Sequence, residues 1–340
     1  MTVLASGSKG NATLIAAGST CVLVDAGLSC RELLRRMAEV GEDPAALNAI
    51  LITHEHLDHV AGLSVLARRL NIPVFFTEQT HRAWVRMLTP RTTMTYAKWL
   101  DHIQQQKAEQ EAAADHAPAH TLAAAAVAEP DLTPVPIEAY EAAEAFSEAA
   151  AETETELAVE SAAGKAKADR TALPAVEYFR AGQSFSIGEL DIDPFTIPHD
   201  AADPCGFVFH ARRESLRMAV ATDLGYIPPN VKMALRNVDV LLLESNHDLE
   251  MLKDGPYPWS VKQRVLSRVG HLSNTAAAEF LLRDYDGGAH TIVLGHLSEQ
   301  NNLPELARLA AEQAIGDRLS LLGNRIVLAA QESPLQPICL

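Results

Sequence analysis

Seven consecutive residues, Thr53-His54-Glu55-His56-Leu57-Asp58-His59, constrain this chain more than any other feature. They follow an apolar run, Ala49-Ile50-Leu51-Ile52, that reads as a buried strand. They precede Val60–Leu70, whose apolar spacing predicts a helix. Three imidazoles and two carboxylates within six residues are difficult to justify as packing. In an extended chain His54 and His56 point to one side and Glu55 to the other. Asp58 and His59 then turn back at the bend from strand to helix. Imidazole nitrogen suits Zn²⁺, Fe or Mn²⁺, and the carboxylates favour a hard divalent ion. The plainer alternative is a polar loop whose histidines are satisfied by hydrogen bonds.

Distant partners would be needed to complete such a site. Three apolar runs each end in a ligand-type residue: Ile192–Ile197 before His199, Leu216–Val220 before Asp223, and Thr291–Val293 before His296. Taken singly, Asp223 reads equally well as a turn cap before Gly225 and His199 as a loop histidine. Their joint occurrence after the histidine-rich motif favours a site built from loops at strand ends.

The rest of the chain supplies the frame. Thr13–Ala17 and Cys21–Asp25, joined by Gly18-Ser19, read as a hairpin. Ser29 is placed to cap a helix over Arg31–Val40 that stops at Gly41. Strand-like runs recur at 73–76, 184–187, 190–197, 206–210, 216–221, 238–244 and 291–295. Helical spacing appears at 231–236, 260–269, 275–284 and 304–314. Paired strands followed by alternating strands and helices predict an α/β fold with mixed sheets.

Residues 101–170 differ from all of this. Twenty-three of the 70 are Ala, and 15 acidic residues face four basic ones. The segment reads as a low-complexity, disordered insertion into one domain made of 1–100 and 171–340. It also reinterprets the net charge of −16, which would otherwise oppose a polyanionic partner. Eleven of those charges fall in the insertion, leaving −5 for the folded body. Cys21, Cys30, Cys205 and Cys339 form no C-x-x-C pair, and neither a leader pattern nor a membrane-length apolar run is present. The expectation is a cytoplasmic protein with reduced thiols and no membrane contact.

The ordered set His54-x-His56-x-Asp58-His59, His199, Asp223 and His296 resembles the metallo-β-lactamase fold. More narrowly, the chain is similar to the YycJ/WalJ subgroup. That likeness is carried by Ser6-Gly7-Ser8-Lys9-Gly10-Asn11, Pro198-His199-Asp200-Ala201, Ala221-Thr222-Asp223-Leu224-Gly225, Glu244-Ser245-Asn246-His247-Asp248, Tyr257-Pro258-Trp259-Ser260, Gly270-His271-Leu272-Ser273-Asn274 and Gly295-His296-Leu297-Ser298. The resemblance implies an αββα sandwich of two mixed sheets flanked by helices. It implies two divalent ions, Zn²⁺ or Mn²⁺, the first on His54, His56 and His199 and the second on Asp58, His59 and His296, with Asp223 bridging. It further implies a 5′→3′ exonuclease on DNA, more than on RNA, with a role near mismatch repair or cell-wall signalling.

Within that frame Asp58 can orient or deprotonate the attacking water. His271, with Glu244 on one ring nitrogen, is the candidate proton donor to a leaving alkoxide. This pairing is similar to the tRNA 3′-processing and β-CASP nuclease branches, and thioesterases of the glyoxalase II type do not call for it. The alternative is that Glu244 and His271 only brace the ligands. Ser6, Ser8, Asn11, His247 and Ser298 are candidate substrate contacts, the first three on a glycine-rich loop that is otherwise a tight turn. Trp259, Lys262, Gln263, Arg264 and Arg268 either contact a nucleic-acid backbone or form a solvated helix face. Competing readings are a small-molecule metallo-hydrolase of thioesterase or lactonase type, an RNA-processing nuclease, and a non-catalytic interaction protein.

Overall fold

Two β-sheets meet face to face, and each carries its helices on the outer side. The computed structural model describes residues 1–89, 169–316 and 323–340. The first sheet runs β1 (Thr2–Ala5), β2 (Ala12–Ala17), β3 (Thr20–Val24), β4 (Leu47–Leu51), β5 (Val74–Phe76), β6 (Val176–Tyr178) in spatial order. The second comprises β7 (Phe185–Ile187), β8 (Leu190–Thr196), β9 (Cys205–Ala211), β10 (Leu216–Ala221), β11 (Val240–Glu244), β12 (Thr291–Gly295) and β13 (Arg325–Leu328), again in chain order. In each sheet the early strands pair antiparallel and the later ones parallel. The sheets are therefore mixed, as the alternation of runs predicts.

Side-chain parity explains the layers. Along β11, Val240 and Leu242 enter the core between the sheets, with Ile15, Val22, Val24 and Leu51 from the first sheet. Leu241 and Leu243 point the other way, into a second core. There they meet α5 (Pro229–Ala234), α8 (Asn274–Arg283) and α9 (Pro304–Ile315) through Val231, Phe280 and Ala311. A strand buried on both faces needs an unbroken apolar run, and Val-Leu-Leu-Leu is one. The remaining helices are α1 (Cys30–Glu39), α2 (Leu57–Val60), α3 (Leu63–Leu70), α4 (Glu78–Leu88), α6 (Leu249–Asp254) and α7 (Trp259–Val265). Ser29 caps α1 by accepting from the Glu32 N–H.

The helix expected over 60–70 is two helices, α2 and α3, broken at Gly62. A Cβ on Gly62 would lie 2.1 Å from the Leu28 carbonyl oxygen. The loop after β3 threads this break: Ala26 N–H donates to His59 O, and Gly62 N–H donates to Ala26 O. Gly27, on the same loop, is tighter still, since a Cβ there would meet Asp58 O at 1.6 Å. Backbone on backbone leaves no side chain to yield. Gly27→Ala is therefore expected to destabilise the protein by about 3 kcal/mol or more, in the range of severe packing and strain defects. A thermal melt within a few degrees of wild type would show that the loop yields.

The strands β1, β6 and β13 are four residues or fewer and are defined by their pairing partners; the helices α4 and α6 are not among the elements expected from sequence. The described elements lie in the unit formed by Met1–Arg86 and Pro136–Leu340, with the last residues of α4 at its margin. The expected insertion lies outside the described residues apart from Asp169 and Arg170. Among the described residues no helix is long and apolar enough to cross a membrane.

Candidate metal centre

Strand ends from both sheets deliver the ligand-type residues to one place. After β4 the chain passes through Thr53, His54 and His56, and α2 then sets Asp58 and His59 in its first turn. Glu55 points away, as alternation requires, and its Oε1 accepts from the Ala202 N–H at 2.9 Å. The loop between β8 and β9 brings His199, the turn after β10 brings Asp223, and the residue after β12 is His296. All seven are buried. Their ligand atoms fall into sets compact enough to hold a metal ion: His54, His56 and His199; Asp58, His59 and His296; and His54, His59 and Asp223. His56 Nδ1 lies 3.2 Å from His199 Nε2, and Asp223 Oδ2 lies 3.6 Å from His59 Nε2.

Three residues of this region, Asp25, Asp223 and His296, stand in the left-handed backbone region, with φ of 61°, 63° and 55°. Each comes one or two residues after a strand. Such a conformation costs a non-glycine residue of order 1–3 kcal/mol and persists only where the surroundings over-determine it. Here it turns the side chain back over the strand end and into the cluster. The His296 N–H is held by Ser6 Oγ at 2.7 Å.

Glu244, the last residue of β11, pairs in register with Gly295, which places its carboxylate beside His296. Oε1 accepts from His271 Nδ1 and from His296 Nδ1, both at 2.8 Å. Oε2 accepts from the backbone N–H groups of Leu224 and Leu272 at 2.6 and 3.1 Å. The expected Glu244–His271 pair is therefore present, but the carboxylate also grips a candidate ligand and two loops.

Asp25 was not singled out in the sequence, although it ends the run Cys21–Val24 just as Asp223 follows β10. Its Oδ2 accepts from His59 Nδ1 at 2.8 Å, and its carboxylate also accepts from Thr53 N–H and Oγ1. This fixes the ring of His59 with Nε2 toward Asp58 and Asp223. The candidate substrate contacts lie around the same cluster. Asn11 donates from Nδ2 to Asp58 Oδ2 at 3.0 Å and to Gly7 O. Ser6 holds His296, and Ser298 Oγ accepts from Asn301 N–H. His247 is buried, with Nδ1 3.3 Å from Asn246 Oδ1, and Ser8 is half-buried. Ser6 and Asn11 thus touch the cluster through His296 and Asp58, and Ser298 ties down its own loop at Asn301.

In the basic stretch Trp259, Gln263 and Arg268 are exposed, while Lys262 and Arg264 are engaged within the fold. Lys262 is buried, and its Nζ donates to the carbonyls of Lys253 and Gly255, both at 2.7 Å. Arg264 pairs with Asp200, beside His199, and Arg268 sits 4.3 Å over the Tyr226 ring. Its exposed aromatic is Trp259, at 65%.

The donor set fits divalent metal. His54 Nε2, Asp58 Oδ1 and both oxygens of Asp223 are buried without a hydrogen-bond partner. Orphaned carboxylate oxygens are costly, and cations that neutralise them are the natural complement. Burial and the neighbouring imidazoles drive the His54 pKa well down, so that this ring is neutral and able to ligate. Burial works the same way on His296, but Asp223, Asp58 and Glu244 outweigh it and raise the pKa to about 10. Without metal, His296 therefore holds a proton at neutral pH that a cation must expel. Metal affinity is expected to rise steadily from pH 6 toward pH 10, with proton release on binding. Titration calorimetry in buffers of different ionisation enthalpy measures that release, and a pH-independent affinity would contradict it.

The family model for the metallo-beta-lactamase superfamily matches residues 5–296. The chain belongs to the metallo-β-lactamase superfamily. Among other members, it is 30% identical over 307 residues to the exodeoxyribonuclease WalJ of Streptococcus pneumoniae serotype 2, covering 90% of this chain and 84% of that one. It is 29% identical over 318 residues to the exodeoxyribonuclease YycJ of Bacillus anthracis, covering 93% and 89%. The crystal structure of the metallo-β-lactamase fold protein YhfI from Bacillus subtilis superposes with a TM-score of 0.52 at 13% identity, over 98% of both chains. The sandwich expected from the motifs is thus the fold of this superfamily member.

Proposed function

We propose that the protein is a metal-dependent phosphodiesterase that removes nucleotides from DNA, starting at the 5′ end. The observation that carries this reading is the Glu244–His271 pair, held at 2.8 Å beside the ligand sets. The names of the relatives matched along nearly their full length support DNA as the substrate. His54, His56 and His199 would hold one ion and Asp58, His59 and His296 a second, with Asp223 available to both, and both Zn²⁺ and Mn²⁺ suit these donors. Such ions, when bound, lower the pKa of water and neutralise charge on a phosphoryl oxygen.

The remaining work falls to the chain. Asp58, braced by Asn11 on Oδ2, directs its other oxygen to the attacking water. His271 Nδ1 is engaged by Glu244, so the proton given to the leaving sugar oxygen departs from Nε2. Glu244 faces that ring as a carboxylate: burial would raise its own pKa, but His271 and His296 bring it down to about 2.

The test is side-by-side assay of the metal-loaded protein on 5′-labelled duplex DNA, RNA and a thioester. Release of mononucleotides from DNA is the expected result. Thioester turnover far above nucleic-acid cleavage overturns the reading, and faster RNA cleavage moves it to RNA processing. We also propose that 101–170 is an insertion into a single domain. Replacing it by a short Gly/Ser linker should leave metal content unchanged, and loss of metal would show that the boundary is wrong.

A further inference from the structure

A cavity of about 720 Å³ is lined by the residues that follow β5 and β6 and by Asp203. Strands β4, β5 and β6 run parallel, so their C-terminal ends share one edge of the first sheet. The end of β4 leads to His54. The end of β6 lies two inter-strand spacings away, about 10 Å. Thr77 after β5, Tyr178 and Arg180 at the end of β6, and Asp203 line the cavity. Asp203 belongs to the loop that carries His199. That loop is pinned by Glu55 at Ala202 and by Thr80 Oγ1 at Asp203 O. One wall is thus formed by the loop that also carries His199.

Tyr178 is 57% exposed, yet it is not loose. Its hydroxyl lies 2.8 Å from His81 Nδ1, and the His81 ring stacks on Phe76 and Trp84, with centroids 4.9 and 5.9 Å away. An aromatic ring held in place with its surface in solvent can take a stacking partner at little entropic cost. Two residues on, Arg180 is exposed, and among the described residues its guanidinium makes no ion pair or hydrogen bond. Glu78 on the same wall is neutralised by Arg82 at 2.5 Å. A rigid exposed ring with an uncommitted guanidinium is the donor set for a base and its phosphate.

We propose that this cavity is a subsite for a single nucleic-acid strand, in which a base stacks on Tyr178 and a phosphate pairs with Arg180. It rests on the nuclease reading above and specifies where the strand lies outside the reacting bond. The subsite grips the strand near the metal centre without contacting the reacting phosphate.

The probe is a fluorescein-labelled, single-stranded phosphorothioate oligonucleotide binding to the metal-loaded full chain, followed by anisotropy. Tyr178→Ala should raise Kd about tenfold, and Tyr178→Phe, which keeps the ring, should bind within about twofold of wild type. Arg180→Ala should weaken binding and reduce the slope of log K against log[salt] by about 0.7, the loss of one phosphate contact on a single strand. A merely structural role for either side chain does not move that slope. Unchanged Kd in both alanine variants, or no binding by wild type, overturns the subsite. Wild type that binds in this way yet cleaves no DNA upholds the subsite and refutes the exonuclease reading.

Discussion

Asp223→Asn is expected to lower bound metal to about a tenth of wild type and phosphodiesterase activity by about a thousandfold, the equivalent of about 4 kcal/mol in the barrier. Asparagine preserves shape and volume, so the change isolates the charge. The carboxylate forms one compact ligand group with His54 of the first set and His59 of the second, and lies 3.6 Å from His59 Nε2 and 3.3 Å from His296 Nδ1. Both of its oxygens are buried without a hydrogen-bond partner. Metal analysis by plasma mass spectrometry, with a melt to confirm folding, gives the answer. A folded variant that keeps its full metal content and activity removes Asp223 from the site.

The second large effect belongs to His271→Ala. Loss of a general acid costs about 10²–10⁴ in rate. That loss should appear on DNA, whose leaving sugar alkoxide needs a proton. It should shrink to less than about tenfold on bis(p-nitrophenyl) phosphate, whose phenolate departs unprotonated. Bound metal should not change. The control matters because His271 also lies within ligand range of Asp223, Glu244 and His296, a fourth group able to hold a cation. A variant that loses metal would make His271 a ligand. Equal losses on the two substrates would make it a bracing residue. Glu244→Gln is the poorer test, since that carboxylate serves His296 as well as His271.

Much of this arrangement was legible in the chain because its signals are local. An apolar run that ends in a ligand-type residue marks a strand and the loop beyond it, and four such endings located His54, His199, Asp223 and His296. The same pattern ends at Asp25 and passed unread, because nothing in sequence distinguishes a capping aspartate from one that orients His59. The mixed strand pairing followed from the order of runs, whereas β1, β6 and β13 exist through their neighbours.

By itself, then, the sequence determined mixed sheets and the ligand types, since strand period, hydrophobicity and donor chemistry belong to single segments, and the sandwich followed from the resemblance its motifs carry. Only the tertiary structure decided how they are used. Residues 47 to 290 positions apart meet at the strand ends, and that proximity makes Asn11 a brace for Asp58 and Ser6 a brace for His296. It also breaks the helix at Gly62, engages Lys262 and Arg264 inside the fold, and leaves Tyr178 and Arg180 as an exposed pair. Burial and hydrogen bonding depend on what lies across a space. Sequence neighbours do not carry that information.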